Sequence, residues 1–337
     1  GINGIWGWGT NKYSDSLGED KGPKLYSRVA SHARNYHNMH WDIPDPDSVP
    51  DYENMPGSLN QWWLDWGREY STWQKNGLGV QASIHFMKSV FPPEEWNKPY
   101  EAAYNYGYAF ARHFGPTHGN GLVKAMEIGN EPWDYTAAFY QDILLGMAKG
   151  AKAADSSMMV LPGAFQADEG SDPGQPGGNY IGANLAEEAA PYLDAINFHT
   201  YSYSYDSAGN RIGVPPEHQK STFNSTKNLI RFRNHNLPEA PIYVTEWGWD
   251  SRGAGEECAA SECVSEEAQA LYAVRGAFKL ARLGVDRLFW FFYANSSTCN
   301  TLYCRSGLTS SGTDSTGFKL KKSFYAFESM LNLLGES

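Results

Sequence analysis

Eight short apolar runs, each ending in polar or aromatic residues and each followed by a helix-period stretch, constrain this chain more than any other feature. Strands and helices that alternate in this way build parallel βα units. Candidate strands fall at residues 4–8, around 36–41, and at 79–85, 122–128, 158–161, 195–199, 242–246 and 287–292. Helices are expected at about 24–34, over the segment carrying Trp62, Trp63, Trp66 and Trp73, at 100–113 and 136–154, near 222–235, at 265–282, and near 322–334. Ser265 is placed to cap its helix, with Glu266 and Glu267 favourable against the N-terminal dipole. Gly284 and Gly335 stand where a left-handed C-terminal residue is wanted. Eight such units close a (β/α)8 TIM barrel, and 337 residues suit one barrel with elaborated loops, so a single domain over residues 1–337 is expected. The competing topology, an open doubly wound sheet, needs a Gly-rich phosphate loop after the first strand. Trp6 and Trp8 crowd GIWGWG where the backbone would have to approach a phosphate.

Two of the strands end in carboxylates. The fourth runs into Glu127-Ile128-Gly129-Asn130-Glu131-Pro132-Trp133, and the seventh into Val244-Thr245-Glu246-Trp247-Gly248-Trp249-Asp250. In an α/β barrel the strand C-termini form the catalytic rim, and strands four and seven lie on roughly opposite sides of its mouth. Two carboxylates so placed can flank one bond, as hydrolysis of a glycosidic bond requires. Neither motif has a basic residue next to it in sequence, which argues against two structural Glu residues held in ion pairs.

Asn130-Glu131-Pro132 resembles the NEP signature of clan A glycoside hydrolases, and Val244-Thr245-Glu246-Trp247 is similar to that clan's nucleophile strand; the two Glu lie 115 residues apart, in the clan's order. The resemblance implies a retaining double displacement, with Glu131 as acid/base and Glu246 as nucleophile. It further implies a raised pKa for Glu131 at the start of the cycle, a sugar 2-hydroxyl contact for Asn130, and a hydrogen bond from Tyr201 that orients Glu246. His199 and His85, at two other strand ends, are expected to line the site. Trp133, Trp249, Trp290 and Tyr293 are candidate sugar platforms, with Trp247 beside them; alternation along residues 289–293 leaves the choice between Trp290 and Tyr293 open. The chain departs from the clan in two places. Where many members carry an Arg near the end of strand two, His37, Asn38, His40 and Trp41 stand here, and Gly129 replaces the usual Trp before NEP. EIGNEPW and VTEWGWDS look more like marine galactan-cleaving barrels, the β-agarases and β-porphyranases. The alternatives are the same chemistry on a β-glucan, xylan or mannan, or a non-catalytic carbohydrate-binding barrel, and such binding proteins typically lose one carboxylate. A metal-dependent barrel hydrolase would want His ligands on strand one, where residues 4–8 have none.

Composition narrows the partners. A formal net charge of -11 repels nucleic acid and anionic membrane, and no apolar run reaches transmembrane length. Aromatic residues make up 15% of the chain, more than a barrel core of branched aliphatics needs, so flat rings are expected in a cleft for a polysaccharide or oligosaccharide, and endo action with them. No cofactor is expected, and the protein is read as a monomer. Cys258 with Cys263 and Cys299 with Cys304 form two close pairs without zinc-site spacing, so two local disulfides and a secreted or periplasmic location are expected. They fall in the loops after strands seven and eight. Sequons begin at Asn224 and Asn295, and the chain opens at GINGIWGWG without a leader, as a mature or trimmed form would. The acidic stretch 42–53 and the loop 168–172 read as solvated loops rather than calcium sites, and segments 170–178 and 91–93 as rim loops.

Overall fold

The computed structural model describes residues 1–5, 21–54, 64–170, 180–311 and 319–335. Eight parallel strands form the barrel: β1 (Ile2–Asn3), β2 (His32–Asn38), β3 (Gly79–His85), β4 (Ala125–Ile128), β5 (Met159–Pro162), β6 (Ile196–His199), β9 (Ile242–Trp247) and β10 (Arg287–Trp290). The hydrogen-bonded order is β5-β4-β3-β2-β1-β10-β9-β6. The ring closes between β5 and β6 through a parallel bridge from Phe165 to Phe198 and a bond from Asp194 N–H to Val160 C=O. A two-stranded hairpin, β7 (Tyr203–Tyr205) with β8 (Arg211–Gly213), rises after β6. The helices are α1 (Lys21–Tyr26), α2 (Met39–Asp42), α3 (Trp66–Lys75), α4 (Pro99–Phe114), α5 (Ala137–Ala154), α6 (Thr226–Asn236), α7 (Glu266–Arg282) and α8 (Lys322–Leu334).

Local chemistry sets most of these boundaries. Pro99 occupies the first turn of α4, where a missing N–H costs nothing. Thr136 and Ser265 cap α5 and α7 by accepting from Phe139 N–H and Ala268 N–H. Helices α4 and α5 touch backbone to backbone. A Cβ at Gly107, Gly146 or Gly150 would stand 2.3, 2.2 or 2.1 Å from the carbonyl oxygens of Met147, Tyr100 and Tyr104, so only glycine permits this approach.

Two expected elements shift. The first strand pairs at Ile2–Asn3 rather than over 4–8, and Trp6, Trp8, Trp62 and Trp63 lie outside the described residues, as does most of 170–178. The second strand spans His32–Asn38, and the helix before it ends at Tyr26. Arg34, expected at the end of that helix, is therefore a strand residue.

The barrel interior is layered. Ala125, Leu161, Ala195, Tyr243 and Phe289 form an apolar plug. Above it lies a polar layer of Asn3, Arg34, Gln81, Ser83, Glu127, Asn197 and Thr245, all buried. Strand β9 carries an irregularity here. Val244 pairs with Phe198 while Glu246 pairs with His199, so two steps of β9 face one step of β6. The bulge turns both Thr245 and Glu246 inward. Thr245 Oγ1 accepts from Asn197 Nδ2, and Glu246 meets Arg34.

Candidate active site

Glu131 follows β4 and Glu246 sits on the β9 bulge, both at the C-terminal rim. One oxygen of each lies with a His199 ring nitrogen inside a group whose atoms are all within 4.8 Å of one another. His199 Nδ1 is 2.6 Å from Glu131 Oε1 and 3.6 Å from Glu246 Oε2. Tyr201 Oη donates to Glu246 Oε2 at 2.9 Å. Tyr36 Oη donates to Glu246 Oε1 at 2.7 Å, and Arg34 Nη1 reaches the same oxygen at 3.0 Å. Burial, and then the neighbouring Glu246 charge, hold both tyrosine hydroxyls well above their ordinary pKa, so each remains a donor.

Arg34 organises the layer beneath. Its Nε and Nη2 grip Glu127 in two 2.7 Å bonds, Nη1 also donates to Asn3 Oδ1 at 2.9 Å, and Nη2 to Asn130 Oδ1 at 2.8 Å. Burial works against its charge, but Glu127 and Glu246 outweigh burial and raise its pKa. Gln81 Nε2 adds a 3.1 Å bond to Glu127. A strand-two Arg is thus present, but within β2 rather than at its end, on a residue whose surroundings in sequence suggest a helix. The Glu motifs have no basic neighbour in sequence because their partner Arg34 comes from a distant strand. Glu127 holds the signal: a carboxylate inside an apolar barrel strand demands a buried cation.

The electrostatics correct a second expectation. Burial pushes the Glu131 carboxyl up, but the His199 bond outweighs burial, so its pKa falls below the ordinary 4.5 instead of rising. Burial likewise opposes the His199 charge; Glu246 and Glu131 overcome it and raise that pKa above 6.5. The two shifts have one source: the short His199 Nδ1–Glu131 Oε1 bond favours the imidazolium–carboxylate form of the pair.

Of the expected platforms, Trp133 is half-buried, donates to Ala164 C=O, and stands edge-on to His199 with ring centroids 6.5 Å apart. His85 stacks on Tyr36 at 4.8 Å and bonds Asn38 Oδ1 through Nδ1; burial and then Arg34 lower its pKa to about 4. Trp249, Trp290 and Tyr293 are corrected: all three are core residues. Trp249 and Trp290 pack with Trp247 between the barrel and α7–α8, donating to Val214 and Ser306 carbonyls. Tyr293 is fully buried against Tyr26. Alternation along β10 turns Phe289 into the barrel and Trp290 outward. Phe291, absent from the expected platforms, lines a small cavity with Asn3, Arg34 and Tyr36.

The loops around the mouth are tied down. Both cysteine pairs are bonded, Cys258–Cys263 before α7 and Cys299–Cys304 after β10. Asp42 is buried and accepts from Tyr52, Tyr106 and Trp66 at 2.7, 2.6 and 2.9 Å, with His37 Nε2 at 2.6 Å, so it is a structural hub of the β2 loop. Asn295 is fully buried and donates to Glu256, which closes its sequon to a glycan. No helix among the described residues is long and apolar enough to cross a membrane.

A (β/α)8 barrel with a carboxylate pair at its C-terminal rim is the class that this fold and site define. Solved structures share the fold. A family 39 glycoside hydrolase from Bacteroides cellulosilyticus WH2 aligns with a TM-score of 0.67 at 17% identity, over 99% of this chain and 63% of that one. The exo-β-1,4-mannosidase Op5Man5 from Opitutaceae bacterium strain TAV5 aligns at 0.59 and 12%, over 99% and 59%. A family 1 β-glucosidase from Thermotoga maritima aligns at 0.59 and 12%, over 96% and 88%. The chain thus spans less than two thirds of the length of the first two. No protein-family model and no curated protein matches its sequence.

Proposed function

We propose that this protein is a retaining β-glycoside hydrolase, with Glu131 as acid/base and Glu246 as nucleophile. The observation that carries the reading is that one oxygen of Glu131 and one of Glu246 lie within 4.8 Å of each other. Retaining enzymes set the pair about 5–5.5 Å apart, whereas inverting enzymes leave roughly 6.5–9.5 Å for a water. In the first step a Glu246 oxygen bonds the anomeric carbon as the glycosidic bond breaks, and the leaving oxygen takes a proton from Glu131. In the second, water attacks that carbon and gives a proton to Glu131, and the electron pair of the carbon–Glu246 bond returns to the carboxylate.

On this reading a proton shared across the short His199 Nδ1–Glu131 bond serves the first step, passing from His199 to Glu131 and then to the leaving oxygen, which is how a Glu131 with a lowered pKa can still act as the acid. Arg34 holds the carbonyl end of the Asn130 amide, which turns the NH2 end away as a donor for a sugar 2-hydroxyl. Glu131, His199 and Glu246 would also satisfy the donor count of a cation site. The Arg34 guanidinium on Glu246 opposes that use.

The names of the structural neighbours support a β-glycosidic substrate. Half-buried Trp41, Trp133 and Tyr303 support an open cleft and endo action on a polysaccharide, and the EIGNEPW and VTEWGWDS likeness makes a marine galactan the first class to test. Two disulfides support a secreted or periplasmic location.

The test is a panel of agarose, porphyran, carrageenans, β-glucans, xylans and mannans, with wild type beside Glu131→Ala and Glu246→Ala and a chelator arm. One glycan cleaved by wild type alone, unaffected by chelator, supports the reading. Equal cleavage by Glu246→Ala refutes the mechanism, and loss of activity on chelation moves the chemistry to a metal.

A further inference from the structure

The two oxygens of Glu246 are held differently. Oε2 faces the gap toward Glu131: it lies 3.6 Å from His199 Nδ1 and carries the Tyr201 bond. Oε1 is turned toward β2, where Tyr36 and Arg34 both donate to it. We infer that Oε2 is the attacking atom and that Tyr36 is a positioning residue which, through Oε1, favours departure of Glu246 in the second step. The inference rests on the retaining reading above.

Charge accounts for the effect. Glu246 carries a full negative charge in the free site, part of it in each transition state, and none in the glycosyl ester. A hydrogen bond to a charged acceptor is stronger than one to a neutral acceptor. The Tyr36 bond therefore stabilises the free carboxylate most, the transition states less, and the ester carbonyl least. It retards ester formation and accelerates ester breakdown. The Tyr36 ring is itself held in place, stacked on His85 and with the Arg34 guanidinium 5.5 Å from its centroid. Tyr201, on the attacking oxygen, also loses its acceptor's charge as the bond to carbon forms, so its removal should divide the two steps in the same sense.

The experiment compares wild type, Tyr36→Phe and Tyr201→Phe on 2,4-dinitrophenyl β-glycosides of gluco, galacto, manno and xylo configuration. The 2-fluoro analogue of the configuration turned over is then used to trap the ester, which is followed by intact-protein mass. In Tyr36→Phe the adduct on Glu246 should form at least as fast as in wild type and decay roughly 3–10-fold more slowly, as loss of part of one charged hydrogen bond implies. Unchanged or faster decay overturns the inference. So does equal slowing of both steps, the signature of a misplaced carboxylate. A wild type that turns over a glycoside without ever carrying an adduct on Glu246 overturns the retaining reading instead, and that result is visible before any Tyr36 variant is made.

Discussion

Replacing Arg34 by Met isolates the polar layer on which the site stands. Arg34 and Glu127 both have fully buried side chains and share two 2.7 Å bonds. Removing one member of such a pair strands the other charge and costs about 3–5 kcal/mol. Unfolding entropies near 2.1 cal/mol/K per residue convert that, over a chain of 337 residues, to a fall in melting temperature of about 4–7 °C. The double variant Arg34→Met with Glu127→Leu removes the stranded charge and should recover roughly half of the loss or more. Activity should not recover, because Glu246 and Asn130 have lost their shared donor; a drop in kcat/KM of about 10²–10³-fold is expected in both variants. Differential scanning fluorimetry and steady-state kinetics on the same preparations read both quantities. A double variant less stable than the single one would refute the claim that the loss in Arg34→Met comes from the stranded Glu127 charge.

Three further outcomes are expected. The His199 pKa is raised, so its stabilising effect is complete below pH 6.5 and is lost as pH rises through the folded value. The Glu131 pKa is lowered, so its effect is present above pH 4.5 and is lost as pH falls. Melting curves across pH should show both limbs, and His199→Asn should remove the upper one and shift the alkaline limb of kcat/KM to lower pH. Asp42→Ala strands four buried partners and should cost about 3–5 kcal/mol in denaturant titrations, whereas Asp42→Asn should cost less. Each disulfide closes a loop across a sequence separation of 5, for about 2 kcal/mol apiece. Reduction should raise KM at reductant concentrations that leave the barrel's far-ultraviolet circular dichroism intact.

The sequence is most legible where element type follows from local pattern. Residues 79–85 and 322–334 form the strand and helix expected, and the caps at Thr136 and Ser265 are made by their own side chains. Legibility fails on β2 for a physical reason. HARNYHN is polar because its inward positions hold Arg34 and Tyr36 against carboxylates rather than aliphatics against a core. A strand whose interior face carries chemistry loses the apolar signature by which strands are recognised. Glu246 is marked by its motif, but the bulge that aims it inward has no mark in Val244-Thr245-Glu246. The same one-residue sensitivity exchanges Trp290 for Phe291 at the mouth.

The polar layer also fixes what kind of small molecule the site will favour. Glu127, Glu131 and Glu246 place three carboxylates around Arg34 and His199. With His199 protonated, three carboxylates against two cations leave one net negative charge, open to solvent at Glu131. On the glycosidase reading an organic cation between Glu131 and Glu246 offsets that charge, whereas a metal ion there would compete with Arg34 for Glu246. Compounds that put a protonated ring nitrogen where the sugar's anomeric carbon would lie should bind more tightly than neutral sugars of the same shape, and their affinity should weaken at pH values where the amine is uncharged.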